Sequence, residues 1–286
     1  MKKPKFLKKI KKIYLVGIKG VAMTALACCF QDLGLKISGS DVEEEFVTDE
    51  TLHSRKIKWQ LGFDVDKLIK WQPDLVVTTG AHGGLSNPQV KAAQKAGIKV
   101  LTHAQALAQL MVGKEAISVC GVGGKSTTSA MMATVLSVAR KEPSYAIGVA
   151  SINPIGAPGR FSESDYFVAE ADEYANSPGI DNRPRFLFQK PKVIIVTNIE
   201  YDHPDIYKNF GETKAAYKAF FDQLPKDGLL VACADNAKTI EVAKKFSGSC
   251  QTYGFSSAAD WQIEKARYHP GGTIFSLSRQ GLVIEN

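Results

Sequence analysis

The sequence of 286 residues contains no long hydrophobic run. Its longest apolar stretch, residues 21–30, is about half of what crosses a bilayer, so no membrane insertion is expected. Cysteine is scarce and unpatterned. Cys28, Cys29, Cys120, Cys233 and Cys250 form no C-x-x-C pair and are odd in number. That argues against a disulfide framework or a zinc site and fits a reduced, cytoplasmic protein. Glycine (24) and proline (12) are too few for collagen-like or low-complexity sequence, and a 44% hydrophobic content excludes a disordered chain. No segment repeats at a fixed period. No export signal is expected either: the lysine-rich start leads only into residues 13–17, too short for a signal core.

What is present begins with charge. The net charge is +7, and Lys2, Lys3, Lys5, Lys8, Lys9, Lys11 and Lys12 account for all of it. The basicity is a tail over residues 1–11, expected to be a solvated arm, and not a basic fold. A nucleic-acid face would need Lys and Arg spread over a surface with aromatics between them, so no nucleic-acid partner is expected.

The length predicts about two domains. Strand patterns at 13–17, 36–40, 74–79 and 98–101 alternate with helical patterns at 21–33, 88–96 and 104–111. This alternation predicts a Rossmann-like parallel sheet over residues 12–113. The pattern restarts at 114. Strands are expected at 116–120, 145–149, 166–171, 192–197 and 228–233, with helices at 125–140, 212–224 and 236–246. Shorter strands at 250–253, 260–266 and 273–278 precede a turn at Arg279, Gln280 and Gly281, after which the chain stops as a hairpin partner would begin. The predicted fold class is therefore α/β, with a Rossmann-like parallel-sheet domain followed by a P-loop α/β domain over 114–286.

The strongest chemical signal is Gly121-Val122-Gly123-Gly124-Lys125-Ser126-Thr127, between an apolar strand and a helix. Small residues let backbone N–H groups close on phosphate oxygens, and the helix N-terminus adds positive potential. Lys125 can reach β- and γ-phosphates, and Ser126 can hold Mg²⁺. A strict Walker A motif would carry glycine at Val119, so this is a shorter G-x-x-G-K-S form. Glu170, Asp172 and Glu173 end the next apolar strand, where acids of P-loop proteins hold metal. His203 follows the strand at 192–197 among Glu200, Asp202 and Asp205, placed for metal ligation or phosphate contact. The loop holding Gly17, Gly20, Ala22 and Met23 fits a diphosphate site on a helix N-terminus or a structural turn, and Ser40-Asp41 ends the next strand. The loop from Thr79 to Pro88, with His82, Gly83, Gly84, Ser86 and Asn87, fits ligand contact and plain connection equally.

Taken in this order, GIKGVAM, SGSD, HAQALAQLM, GVGGKSTT, EADEY and TNIEYDHPD resemble the N-terminal and central parts of a Mur ligase over about residues 12–286. The resemblance implies a UDP-sugar domain in which Gly17, Gly20, Met23, Ser40, Asp41, His82 and Asn87 hold UDP-N-acetylmuramate. It implies a central ATPase domain in which Gly121, Gly123, Gly124, Lys125, Ser126 and Thr127 hold ATP. Ser126, Glu170 and His203 would hold Mg²⁺, and Lys125, Glu170 and His203 would serve catalysis. The implied reaction phosphorylates the lactyl carboxylate of UDP-N-acetylmuramate with ATP, and the amine of L-alanine then attacks the acyl phosphate. A tripeptide in place of L-alanine is the alternative within the family. Gly123 and Ala22 depart from the family pattern, where His or Asn and Gly are usual. Family members also carry a third domain beyond the hairpin, so the chain reads as truncated and short of full turnover. Two other readings stand beside this one: a non-catalytic UDP-sugar or ATP-binding remnant, and an NAD-dependent dehydrogenase suggested by the first loop alone.

Overall fold

The structure is a computed structural model that describes residues 3–279 and 282–285. Five strands, β1 (Lys12–Val16), β2 (Lys36–Asp41), β3 (Lys58–Leu61), β4 (Leu75–Thr78) and β5 (Lys99–Thr102), form a wholly parallel sheet in the order β3-β2-β1-β4-β5. Helices α1 (Val21–Asp32), α2 (Asp49–Ser54), α3 (Val65–Trp71), α4 (Pro88–Lys95) and α5 (His103–Met111) connect them. All of β4 and four of the five residues of β1 are buried, as expected of central strands covered on both faces. Helix starts follow local chemistry. Asp64 accepts from the N–H groups of Asp66 and Lys67, Asn87 accepts from Gln89 N–H ahead of Pro88, and Thr102 and Gln105 form a capping box.

The segment from 42 to 73, which carries no strong sequence pattern, supplies α2, β3 and α3. Each is short; α2 buries only Leu52 and α3 only Leu68. β3 is an edge strand with no buried residue. Residues 3–11 also differ from a solvated arm. Leu7 is fully buried, and Phe6 and Ile10 pack against the same core. Three apolar side chains among the lysines dock the tail on the domain.

The second sheet is built from β6 (Glu115–Cys120), β7 (Ser144–Ala146), β8 (Gly159–Arg160) and β9 (Tyr166–Glu170), a separate hairpin β10 (Ala175–Ser177) and β11 (Asp181–Pro184) standing off it. It continues through β12 (Val193–Val196), β13 (Leu229–Cys233), β14 (Ser249–Gly254), β15 (Trp261–His269), β16 (Gly272–Arg279) and β17 (Leu282–Glu285). The order is β17-β16-β15-β14-β13-β12-β6-β9-β7-β8. From β15 to β7 neighbours run parallel, while β8, β16 and β17 pair antiparallel. Helices α6 (Lys125–Val138), α7 (Phe210–Phe221) and α8 (Ala237–Ala243) complete it. The hairpin partner absent from the sequence reading is β17, whose Ile284 lies opposite Leu277. Of the expected turn before it, Gln280 and Gly281 lie outside the described residues.

The two sheets share a core through α1. Leu26, Ala27 and Phe30 pack in one cluster with Ala146, Phe167 and Ala169 of the second sheet and with Phe161 just after β8. Contact is direct at Gly159, where a Cβ would lie 1.9 Å from Ala25 O. Asp32 accepts from Phe161 N–H at 3.0 Å and pairs with Arg55 at 2.7 Å. Among the described residues no helix is long and apolar enough to cross a membrane.

Candidate functional site

In parallel α/β sheets ligands collect beyond the C-terminal ends of the strands, where the chain order reverses. Strands β12, β6 and β9 are neighbours, so Val196, Cys120 and Glu170 end side by side and launch three loops into one space. The loop after β6 is glycine-rich for steric reasons. Gly121 has φ +133°, and a Cβ there would lie 2.1 Å from Thr197 Oγ1 and 2.8 Å from Asn198 O. Thr197 Oγ1 donates to Gly123 O at 2.6 Å, and Asn198 Oδ1 accepts from Gly123 N–H at 2.9 Å. The segment after β12 therefore braces the loop. Gly124, with φ +78°, turns the chain into α6, whose first residue is Lys125.

Lys125 Nζ donates to Gly121 O at 2.8 Å and to both Glu173 oxygens at 3.0 and 3.1 Å. Glu173 is 1% exposed. Burial raises its pKa, opposed by the charge of Lys125. His203 Nε2 lies 3.4 Å from Glu173 Oε1, and Tyr207 OH donates to Glu173 O at 2.6 Å. Glu173, Asp202 and His203 bring one ligand atom each within 4.8 Å of one another, close enough to share a cation. Glu170 points elsewhere. Burial raises its pKa, and a hydrogen bond with Ser126 opposes the rise. Its Oε1 is shut from solvent without a hydrogen-bond partner. Asp172 also resists ionisation through burial, but Arg185 at 2.6 Å, the Tyr174 N–H and Lys125 outweigh this and lower its pKa.

The first sheet builds a second set of loops beyond β1, β2 and β4. Gly17 has φ +82°, and a Cβ there would meet Thr79 Cγ2 at 2.4 Å. Asp41, wholly buried, accepts from Lys19 N–H at 2.6 Å and faces His82 Nε2 at 3.3 Å. Asn87 Nδ2 donates to His82 O at 3.0 Å. The start of α1 reaches the other set of loops at Gly148, where a Cβ would lie 2.8 Å from Glu170 Oε2 and 3.5 Å from Val21.

Comparison with known families then decides the identity. The pattern described as the Mur ligase family catalytic domain matches residues 12–115, and that of the Mur ligase middle domain matches residues 119–285. The chain belongs to the Mur ligase family. It is similar to UDP-N-acetylmuramate–L-alanine ligases of Thiobacillus denitrificans (34% identity over 96% of this chain and 56% of that protein) and Geotalea uraniireducens (33% over 96% and 57%). The chain thus spans little more than half the length of these curated relatives. Among solved structures it is similar to the UDP-N-acetylmuramate:L-alanyl-gamma-D-glutamyl-meso-diaminopimelate ligase of Neisseria meningitides. That match has TM-score 0.84 and 26% identity, covering 96% of this chain and 86% of that one. The UDP-N-acetylmuramate-alanine ligase of Thermotoga maritima shares the fold, with TM-score 0.78 and 24% identity over 96% and 60% of the two chains.

In this Mur ligase chain the expected nucleotide residues Gly121, Gly123, Gly124, Lys125, Ser126 and Thr127 form one continuous loop and helix start. The expected metal trio Ser126, Glu170 and His203 divides. Ser126 meets Glu170, whereas His203 meets Glu173, the acid that Lys125 also bonds. Of the expected sugar-site residues, Gly17, Gly20, Asp41, His82 and Asn87 gather around the β1 and β4 loops. Ser40, Met23, Asp41 and Asn87 are all buried. Ser40 Oγ donates to Gln89 Oε1 at 2.5 Å, so its hydroxyl ties β2 to α4. Sequence reasoning missed Lys19, 2% exposed, which is held by Val42 O, Glu44 O and Asp49 and anchors the loop after β2. It also missed Arg185, for which the sequence carries no signal, and the bracing role of Thr197 and Asn198, which stand in a motif read only for its histidine and acids.

Proposed function

We propose that this chain binds UDP-N-acetylmuramate and ATP as part of an ATP-dependent ligase that joins L-alanine to the lactyl carboxylate. The observation that carries the reading is the P-loop lysine held on a buried glutamate beside a second acid. Lys125 is pre-placed at the mouth of α6 by Glu173, and phosphate oxygens that arrive there compete for the same ammonium. The backbone N–H groups at the start of α6 add donors and the helix field.

A carboxylate is a poor electrophile. Transfer of the γ-phosphate to the lactyl carboxylate gives an acyl phosphate and ADP. The amine then attacks the acyl carbon, the C–O bond to phosphate breaks, and an amide and inorganic phosphate leave. The chain's part is alignment and charge neutralisation, by Lys125 on phosphate oxygens and by the loop braced on Thr197 and Asn198.

The donor chemistry fits Mg²⁺. Ser126 Oγ and Glu170, whose Oε1 lacks a partner, are hard oxygen ligands, and Glu173, Asp202 and His203 form a second grouping. When bound, the ion neutralises phosphate charge and polarises the transferring group.

The likeness to the Neisseria ligase, named for a tripeptide substrate, supports the tripeptide as alternative amine donor. ADP release with each amine separates the two. The reading itself is tested by calorimetric titration with Mg-ATP. Saturable binding that Lys125→Met weakens by roughly tenfold or more supports it, since a charge-assisted bond is worth about 1.5–3 kcal/mol. Equal affinities contradict it.

A further inference from the structure

We infer that His103 is a positioning residue for Glu170 and acts through an enclosed water that both side chains face. The inference rests on the reading of Glu170 as a Mg²⁺ ligand.

A cavity of about 40 Å³ lies where the two sheets meet, lined by His103, Glu170, the paired Asp172 and Arg185, and small or apolar residues that include Ala22 and Gly148. On the scale of 10–15 Å³ per water, it has room for about three. Two polar atoms of its lining, His103 Nδ1 and Glu170 Oε1, are shut from solvent and make no hydrogen bond. The other nitrogen of His103 donates to the backbone of Ala22. Burial pushes the imidazole down to about 4, so at neutral pH it is uncharged and Nδ1 is an acceptor. A carboxylate oxygen is also an acceptor. Two acceptors cannot satisfy each other, and leaving both unpaired is costly. A single water supplies the missing donors, one hydrogen to each, and Arg185 on the same wall can donate to its oxygen.

A cation fits less well. The ligand atoms of His103 and Glu170 belong to no cluster as tight as that of Glu173, Asp202 and His203. The charge of Arg185 on the same wall is met by Asp172 at 2.6 Å. The topology gives the bridge its meaning. His103 opens α5 on the first sheet and holds the start of α1 at Ala22, while Glu170 ends β9 on the second. The water therefore ties the helix behind the sugar loop to the carboxylate beside Ser126.

Two variants of the chain divide the roles of the two nitrogens. His103→Asn keeps a polar oxygen near the place of Nδ1 and drops the reach to Ala22. His103→Gln keeps the reach and vacates the place of Nδ1. The first readout is a crystal structure of the unaltered chain that resolves waters. A water bonded to both Nδ1 and Glu170 Oε1 is expected; a cavity whose waters touch neither atom overturns the inference. The second is the Mg²⁺ concentration that half-saturates nucleotide binding in calorimetry. His103→Gln should raise it roughly tenfold, the scale of an altered ligand support, and His103→Asn should stay within about threefold of the parent. Equal values in all three proteins, or a rise in the Asn variant alone, overturn it. An unaltered chain that binds no Mg-nucleotide removes the proposed function and the positioning role together, whereas a normal parent with unshifted variants removes only the positioning role.

Discussion

Alanine at Gly121 and alanine at Gly123 should behave very differently, although the two positions are one residue apart. At Gly121 the backbone has φ +133°, and the new Cβ would stand 2.1 Å from Thr197 Oγ1 and within 3 Å of Asn198 O and N. Side-chain movement cannot relieve contact with backbone atoms, so the segment after β12 must shift or the loop must leave it. Backbone strain in such a region costs on the order of 1–3 kcal/mol, and displacing the brace adds to it. A total near 3 kcal/mol corresponds to a fall in Tm of roughly 5–10 °C for a domain of this size. At Gly123 the nearest atom to a new Cβ is Asn198 Nδ2 at 3.4 Å, and the position is solvent-exposed. The change there should stay within about 0.5 kcal/mol. Thermal unfolding followed by circular dichroism, with Mg-ATP titration of each variant, reads both effects. Gly121→Ala should lose stability and nucleotide binding together, and Gly123→Ala should lose neither. Equal shifts in the two variants would refute the bracing of the loop by Thr197 and Asn198.

Three further perturbations test other parts of the account. Leu7→Ala should destabilise the chain by about 2–5 kcal/mol in denaturant unfolding, because it removes a fully buried side chain, whereas Lys8→Ala and Lys9→Ala should change stability by less than about 0.5 kcal/mol; equal effects would restore the solvated arm. His103 has a folded pKa of about 4 against an unfolded value near 6.5, so the unfolded state binds more protons between them. Its contribution is complete above about pH 6.5 and is lost as pH falls toward 4, by up to about 3 kcal/mol. Glu170 and Glu173, raised by burial, act in the opposite sense as pH rises above 4.5, and Arg185 and Asp172 face the same region. The difference in Tm between the parent and His103→Asn therefore isolates the histidine, and a difference independent of pH would contradict its buried neutral state. Glu173→Gln frees Lys125 from a competing carboxylate and should tighten ATP binding measured in EDTA by roughly three- to tenfold; weaker binding would show that the placing of the lysine by Glu173 outweighs the competition for its ammonium.

The central strands and the nucleotide loop were legible because their signals are local. β1, β4 and β12 are short apolar runs, and the glycines before Lys125 stand between a strand and a helix. Elements stabilised from outside left little local trace. β3 is a half-covered edge, and β8 is two residues long, held where Gly159 meets the α1 backbone. The carboxylates after β9 were recognisable as a group, but strand periodicity cannot say which acid Lys125 bonds once the strand has ended. That is why Glu173, and not Glu170, was found beside His203. The bond that holds Ser40 was not legible for a similar reason. Its partner Gln89 lies 49 residues away on α4, and no spacing within SGSD reports it. Arg185 reaches Asp172 only because the β10–β11 hairpin returns the chain.

The central claim is that the loops beyond β1, β2 and β4 hold UDP-N-acetylmuramate next to an ATP site. Calorimetric titration of the chain with UDP-N-acetylmuramate, with UDP as the reference ligand, tests it most directly. The account predicts saturable binding clearly tighter than that of UDP. No binding by a folded chain, or equal affinity for the two ligands, would contradict the assignment of the first sheet as a UDP-sugar site.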